Sequence, residues 1–186
     1  MNKKKIHFDI EYFQGMTCVG CPVIEDLAME VEFTDDEIQK MKQLVADLDE
    51  VLYSEGIMPV LKDAAPNLYK RIDDAARNEI FDFLVVDGIR QGYIEFDEDE
   101  LRRNFEKDIM DSSFEFIPSD YYDLDEHPSE EELKEKEYEV WYDNEFSNIC
   151  SDDLDYIRSR YNVDDHVDLE DNPEYTVDIP SEFLPE

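Results

Sequence analysis

Two stretches near the N-terminus alternate between apolar and polar side chains, which is the period of a half-buried β-strand. Their apolar positions are Ile6, Phe8, Ile10 and Tyr12 in the first stretch, and Leu27, Met29, Val31 and Phe33 in the second. The segment between them contains Gly15, Gly20 and Pro22, which are residue types that favour turns. The pattern predicts an antiparallel hairpin with a long loop.

Two helices are predicted next, because the apolar positions then recur every three or four residues. The first begins at a capping box, Thr34 to Glu37, and we expect it to stop at Gly56. The second begins at Pro66, which suits a first helical turn, and ends at Asp87-Gly88. The two apolar stripes are Ile38, Met41, Val45, Leu48 and Leu52, and Leu68, Ile72, Ala76, Ile80 and Leu84.

The remaining predicted elements are shorter. Strands are predicted at 93–96 and 114–117, and a closing strand at 175–179. Helices are predicted after Asp97, after a capping box formed by Ser129 and Glu132, and between Asp152 and Tyr161. Together these elements indicate an α+β fold, in which a small, mainly antiparallel sheet packs with about four to five helices on one face. We expect a single domain over residues 1–186, with residues 95–186 as a candidate subdomain.

The negative charge is concentrated in the second half of the chain. The full sequence of 186 residues has a net charge of −35. Residues 95–186 hold 33 acidic and seven basic side chains, a balance of −26, whereas residues 1–94 hold 19 and ten, a balance of −9. Self-repulsion on this scale opposes a compact state, although a chain that is 41% hydrophobic can still form a core. We therefore expect the acids to bind a cationic partner.

A cytoplasmic protein without a membrane anchor is the expectation from the rest of the composition. No apolar run approaches the ~18 residues of a membrane span. Lys3 to Lys5 precede an alternating segment, and the apolar core of a signal peptide does not follow them. Three cysteines cannot all pair within one chain, which favours a reducing compartment.

The segment Gly15-Met16-Thr17-Cys18-Val19-Gly20-Cys21 resembles the GMTCxxC loop of the heavy-metal-associated domain of copper chaperones and copper-transporting ATPases. The resemblance implies Cu(I) binding by Cys18 and Cys21, because two soft thiolates on one loop suit that ion. In that family a helix begins at the second cysteine. Here the alternation over residues 26–33 predicts a strand, so we expect both cysteines to lie in a hairpin loop.

No catalytic signature is present, so we do not expect an enzyme. The chain lacks a Walker loop, a GxSxG motif and an HExxH motif. The acidic runs 120–125 and 164–168 lack the glycine and glutamate spacing of an EF-hand calcium loop. We therefore predict no cofactor.

Mimicry of a nucleic acid is the function that the charge pattern favours. A carboxylate-rich surface can occupy a groove lined by Lys and Arg, as phosphates do, and Tyr and Trp side chains would add contact area. We predict an inhibitor of a basic, nucleic-acid-binding protein, comparable in surface chemistry to phage or mobile-element inhibitors of restriction and CRISPR systems. The predicted contact residues are Glu130, Glu131, Glu132, Asp152, Asp153, Asp155, Tyr121, Tyr122 and Trp141. The protein itself should not bind DNA or RNA, because its charge repels phosphate.

Three alternative hypotheses use the same features differently. Cys18 and Cys21 would make the protein a Cu(I)-binding or other metal-binding protein. The acidic surface could instead hold a basic client, as an acidic chaperone or an antitoxin does. Finally, the acids could serve solubility alone.

Overall fold

The computed structural model describes residues 3–48, 56–118 and 128–184. Within them the fold is α+β, as the sequence predicts, with a three-stranded antiparallel sheet and six α-helices. The strands are β1 (Lys3–Met16), β2 (Pro22–Thr34) and β3 (Tyr175–Val177), in the order β2-β1-β3. The helices are α1 (Asp35–Ala46), α2 (Met58–Ala64), α3 (Pro66–Arg90), α4 (Glu98–Met110), α5 (Glu130–Phe146) and α6 (Leu154–Arg160).

The chain divides into two compact units. The sheet unit consists of Met1–Asp82 with Leu169–Glu186, and the helical unit consists of Phe83–Asp168. The last segment joins the first unit because β3 pairs with β1. The sheet unit holds 24 acidic and nine basic residues, a balance of −15, and the helical unit 28 and eight, a balance of −20. The single-domain prediction stays a prediction.

The predicted hairpin is confirmed. Ile6 pairs with Val31 and Phe8 with Met29, and these side chains are buried on one face of the sheet. On the other face, Lys5 forms an exposed ion pair with Glu30 at 2.8 Å. The loop is shorter than predicted, with five residues between the strands. A register shift beyond Phe13 allows the pairing to continue to Met16 and Pro22.

The first predicted helix begins where expected. The backbone N–H of Glu37 donates to Thr34 Oγ1 at 3.3 Å, and the N–H of Thr34 donates to the Glu37 carboxylate at 2.8 Å. Met41 and Val45 are buried, as the apolar stripe predicts. The helix ends at Ala46, ten residues before the expected stop, and Leu52 lies outside the described residues.

Gly56 therefore does not end α1, but it has another role. Its φ is +77°, which L side chains rarely adopt, and a Cβ there would lie 2.5 Å from the carbonyl oxygen of Val177. This close approach lets the N–H of Ile57 donate to that carbonyl at 3.1 Å. The absence of a side chain at Gly56 thus allows the start of α2 to pack against strand β3.

Helix α3 starts at Pro66, as predicted, but extends beyond the predicted end at Asp87-Gly88 to Arg90. The Arg90 guanidinium donates to the carbonyl of Ile149. Gly88 lies inside the helix, and Ile94 packs against it, with side-chain carbons 3.1 Å from where a Cβ would lie. The glycine therefore makes room for a neighbouring side chain, and the turn follows it at Gln91-Gly92.

The strands predicted at 93–96 and 114–117 are wrong, because both segments are irregular. In the first segment, Ile94 is buried and Phe96 stacks on Phe146 with ring centroids 4.4 Å apart. The alternating apolar positions of this segment, Ile94 and Phe96, are therefore core contacts of an irregular segment and not one face of a strand. In the second segment, Phe114 and Phe116 are half-buried, again without a strand.

The helices predicted after Asp97 and after Ser129 begin where expected, whereas the one predicted from Asp152 becomes α-helical only at Leu154. The Asp97 carboxylate accepts from the N–H of Glu100 at 2.9 Å and caps α4. Ser129 and Glu132 form the predicted capping box of α5. A short 3-10 turn, Ser151–Asp153, leads into α6. The predicted closing strand is present as the three residues of β3.

We predict that Gly56→Ala destabilises the protein much more than Gly20→Ala. Both glycines have φ near +80°, but nothing lies within 4 Å of a Cβ at Gly20. Gly20→Ala should therefore lower the free energy of unfolding by about 1–2 kcal/mol, the cost of a left-handed residue. Gly56→Ala adds the clash with Val177, for a total of roughly 2–5 kcal/mol. Urea unfolding of both variants measures the difference, and equal losses would contradict the proposed role of Gly56.

Candidate partner-binding surface

Glu130, Glu131 and Glu132 form the first turn of α5 and are exposed. The carboxylate of Glu132 accepts from the N–H of Ser129 at 2.7 Å, and this hydrogen bond lowers the pKa of Glu132. The Glu132 side chain is thus part of the capping box that begins α5. Glu130 and Glu131 form no ion pair within the described residues. Of these three acids, Glu130 and Glu131 are therefore exposed without an ion pair to a described residue.

Asp152, Asp153 and Asp155 lie at the other predicted helix start, and all three are exposed. Asp152 and Asp153 belong to the 3-10 turn, and Asp155 to the first turn of α6. The Asp153 carboxylate accepts from the thiol of Cys150 at 3.1 Å. Like Glu130 and Glu131, the three acids belong to the helical unit.

Of the three aromatic residues predicted to contact a partner, one lies in the core and two lie outside the described residues. Trp141 is only 2% exposed, and its indole N–H donates to the carboxylate of Asp108 at 2.9 Å. Its ring packs against Tyr138 and Phe105. The contact role predicted for Trp141 is therefore replaced by a role in the core. Tyr121 and Tyr122 lie outside the described residues.

An ionic cluster links three helices of the helical unit. Arg160 of α6 contacts the Asp108 carboxylate at 3.0 Å and the Glu145 carboxylate at 3.1 Å. The Tyr161 hydroxyl donates to Glu145 at 3.2 Å. Burial raises the pKa of Glu145, although the charge of Arg160 opposes the shift. The cluster joins side chains of α4, α5 and α6 and so fixes which faces of these helices remain exposed.

An exposed acidic row runs along α5. Its members are Glu131, Glu135, Glu139 and Asp143. Each follows the last by four residues, so successive members lie about 6 Å apart along the helix axis and the row is about 18 Å long. The last three members are not among the contact residues predicted from the sequence. Their spacing of four residues, within a segment already predicted to be helical, was the signal that could have identified them.

Two members of the acidic row have basic partners on the protein surface. Glu135 contacts Arg102 at 3.3 Å, and Glu139 contacts Lys136 at 3.1 Å. Exposed ion pairs of this kind contribute only about 0–1 kcal/mol each. The Arg102–Glu135 pair is exposed on both sides, so this estimate applies to it, whereas the Lys136 side chain is only 16% exposed. Glu131 and Asp143 form no ion pair within the described part of the chain.

Cys18 and Cys21 are exposed, free thiols in the hairpin loop, as predicted. The Cys21 N–H donates to the Thr17 hydroxyl oxygen at 3.0 Å, and β2 begins directly after it at Pro22. The helix of the heavy-metal-associated domain is therefore replaced by a strand. Among residues 3–48, 56–118 and 128–184, no group of three or more His, Cys, Asp and Glu side chains could hold a metal ion. Cu(I) binding by the two thiols alone stays a hypothesis.

Comparisons with known proteins give no family for this chain. No family model matches it, and no curated protein or solved structure is similar to it. In the part of the chain that the structure describes, no helix is both long and apolar enough to cross a lipid bilayer.

We predict that Glu145→Gln becomes less harmful to stability as the pH rises. The pKa of Glu145 is raised in the folded protein, so its stabilising contribution is full below the unfolded-state pKa of about 4.3 and is lost as the pH rises through the folded value. The difference in unfolding free energy between wild type and Glu145→Gln should therefore shrink from pH 4 to pH 7. The exposed Glu139→Gln on the same helix is the control. A difference that grows with pH would contradict the prediction.

Proposed function

We propose that the protein binds a basic, nucleic-acid-binding protein through the acidic row of α5 and the neighbouring Glu130, and so competes with nucleic acid for that partner. The observation that carries the proposal is the exposed row of carboxylates at a regular spacing. Along one DNA strand a phosphate occurs every ~3.4 Å of helix axis, so a spacing of about 6 Å gives roughly half of that linear charge density.

Electrostatics make such a surface an effective competitor. Proteins that bind DNA draw much of their affinity from Lys and Arg contacts with phosphates. A negative surface attracts the same basic groups and accelerates the encounter with them. The helical unit supports this mode of binding, because its balance of −20 gives it a strongly negative field.

The partner class that fits this chemistry is a basic nuclease or other enzyme that acts on nucleic acid. Phage and mobile-element inhibitors of restriction and CRISPR enzymes use comparable surface chemistry. We assign the protein to this kind of inhibitory interaction in the cytoplasm, with no enzymatic step of its own.

Charge reversal at the start of α5 is the sharpest test. Glu130→Lys with Glu131→Lys changes the first two residues of α5 and leaves its capping box intact. Asp35→Lys with Asp36→Lys is the matched control, because these acids are the exposed first two residues of α1 behind an equivalent capping box. Both variants lose the same favourable interaction with a helix N-terminus, so both should lose similar stability.

The immobilised protein should capture from a lysate of its native host a protein that binds duplex DNA. Excess duplex DNA and about 0.5 M salt should each release that protein. With the captured protein purified, the α5 double variant should bind it at least about tenfold more weakly, mainly through slower association, and the α1 double variant much less so. Equal effects of the two variants, or failure of DNA to displace the captured protein, would contradict the proposal.

A further inference from the structure

A groove of about 520 Å³ in the helical unit combines carboxylates with aromatic rings. Its lining residues are Tyr93, Glu95, Phe96, Asp97, Glu100, Tyr161, Asn162 and His166. Three of these are acids and three are aromatic, and neither Lys nor Arg lines the groove. A concave site of this composition suits a cation that also has an apolar face.

The turn after α3 holds one edge of the groove in place. The N–H groups of Tyr93 and Ile94 both donate to the carbonyl of Gly88, at 2.8 Å and 3.2 Å. Gly92 makes the turn with a φ of +71°. Ile94 is buried against Gly88, so the adjacent Tyr93 points outward and is 78% exposed. The exposed ring of Tyr93 is therefore attached to a turn whose backbone is hydrogen-bonded to α3.

The aromatic side chains deeper in the groove are held by the core. Phe96 stacks on Phe146, and its ring centroid lies 5.2 Å from that of Tyr161. Tyr161 is 3% exposed and is fixed through its hydroxyl by Glu145, a member of the ionic cluster. Because these rings are fixed before any ligand binds, little side-chain entropy is lost when a ligand contacts them.

The carboxylates of the groove are available to a ligand. Asp97 is oriented by its cap on α4, where one carboxylate oxygen accepts from the N–H of Glu100. The side chains of Glu95 and Glu100 form no hydrogen bond or ion pair with any described residue. The groove therefore presents unpaired negative charge beside aromatic rings.

Arginine is the side chain that matches both features. Its planar guanidinium stacks on aromatic faces and donates in pairs to carboxylates, whereas the compact ammonium of lysine does neither as well. The helical unit contains such an arrangement within its own chain. Arg102 lies over the ring of Tyr138, with Cζ 3.5 Å from the centroid, and it pairs with Glu98 at 2.8 Å.

We infer that this groove binds an arginine side chain of the basic partner. The inference rests on the proposed function, because it supplies the partner-specific contact that a row of charges alone lacks. The acidic row attracts any basic surface, whereas the groove selects arginine over lysine.

Peptide binding tests the inference without the natural partner. Fluorescein-labelled nona-arginine and nona-lysine carry the same charge, and fluorescence anisotropy at about 0.15 M salt gives their affinities. The wild type should bind nona-arginine about three- to fivefold more tightly than nona-lysine. Tyr93→Ala and Glu100→Gln should each remove most of this preference. Circular dichroism during thermal unfolding should show that the exposed Tyr93 substitution leaves the fold intact.

Asp99→Asn is the matched control for Glu100→Gln. Asp99 is the adjacent acid of the same helical turn, but it does not line the groove. It should weaken binding of both peptides slightly and leave the arginine preference unchanged. If Tyr93→Ala and Glu100→Gln keep the wild-type preference, or if Asp99→Asn removes it equally, the inference is overturned.

The outcome is separable from that of the proposed function. Should the α5 reversal abolish partner binding while the groove variants keep the arginine preference, the groove inference fails and the proposed function stands. Should the α5 reversal leave partner binding unchanged while the groove variants lose the preference, the proposed surface fails and the arginine site stands.

Discussion

Arg160 pairs with the buried carboxylate of Asp108 on α4 and the half-buried carboxylate of Glu145 on α5, and these ion pairs link three helices of the helical unit. Removing one partner of a buried ion pair typically costs about 3–5 kcal/mol, because the other charge is left uncompensated. The cost should be severe here, since the unit already carries a balance of −20. By holding α4, α5 and α6 together, the cluster leaves the remaining acids on the exposed faces.

The charge of the protein has a different distribution in space than along the chain. The two halves of the sequence carry net charges of −9 and −26, whereas the two compact units carry net charges of −15 and −20. The cause is the acidic C-terminal segment, which returns to the sheet unit through β3. The binding surface we propose is therefore the acidic row of α5 with the acid-lined groove, and the total charge of a half-chain does not define it.

Local sequence signals predicted the elements that local interactions determine. Both capping boxes, the hairpin and the start of α3 at Pro66 follow from residues close in sequence. Contacts between distant residues decided the rest. Gly88 inside α3 leaves room for Ile94, and Trp141 packs in the core against Phe105 and Tyr138 with Asp108 as the acceptor for its N–H. The groove could not be predicted, since its walls come from two segments about 65 residues apart in sequence.

Hydrogen–deuterium exchange, measured with and without the captured basic partner, tests whether the helical unit carries the binding surface that we propose. We expect slower exchange in two places within the helical unit: the exposed first turns of α5, and the groove segments 93–100 and 161–166. The matching first turn of α1 should exchange at the same rate in both states. Protection confined to the hairpin loop or to other parts of the sheet unit would contradict binding through α5 and the groove.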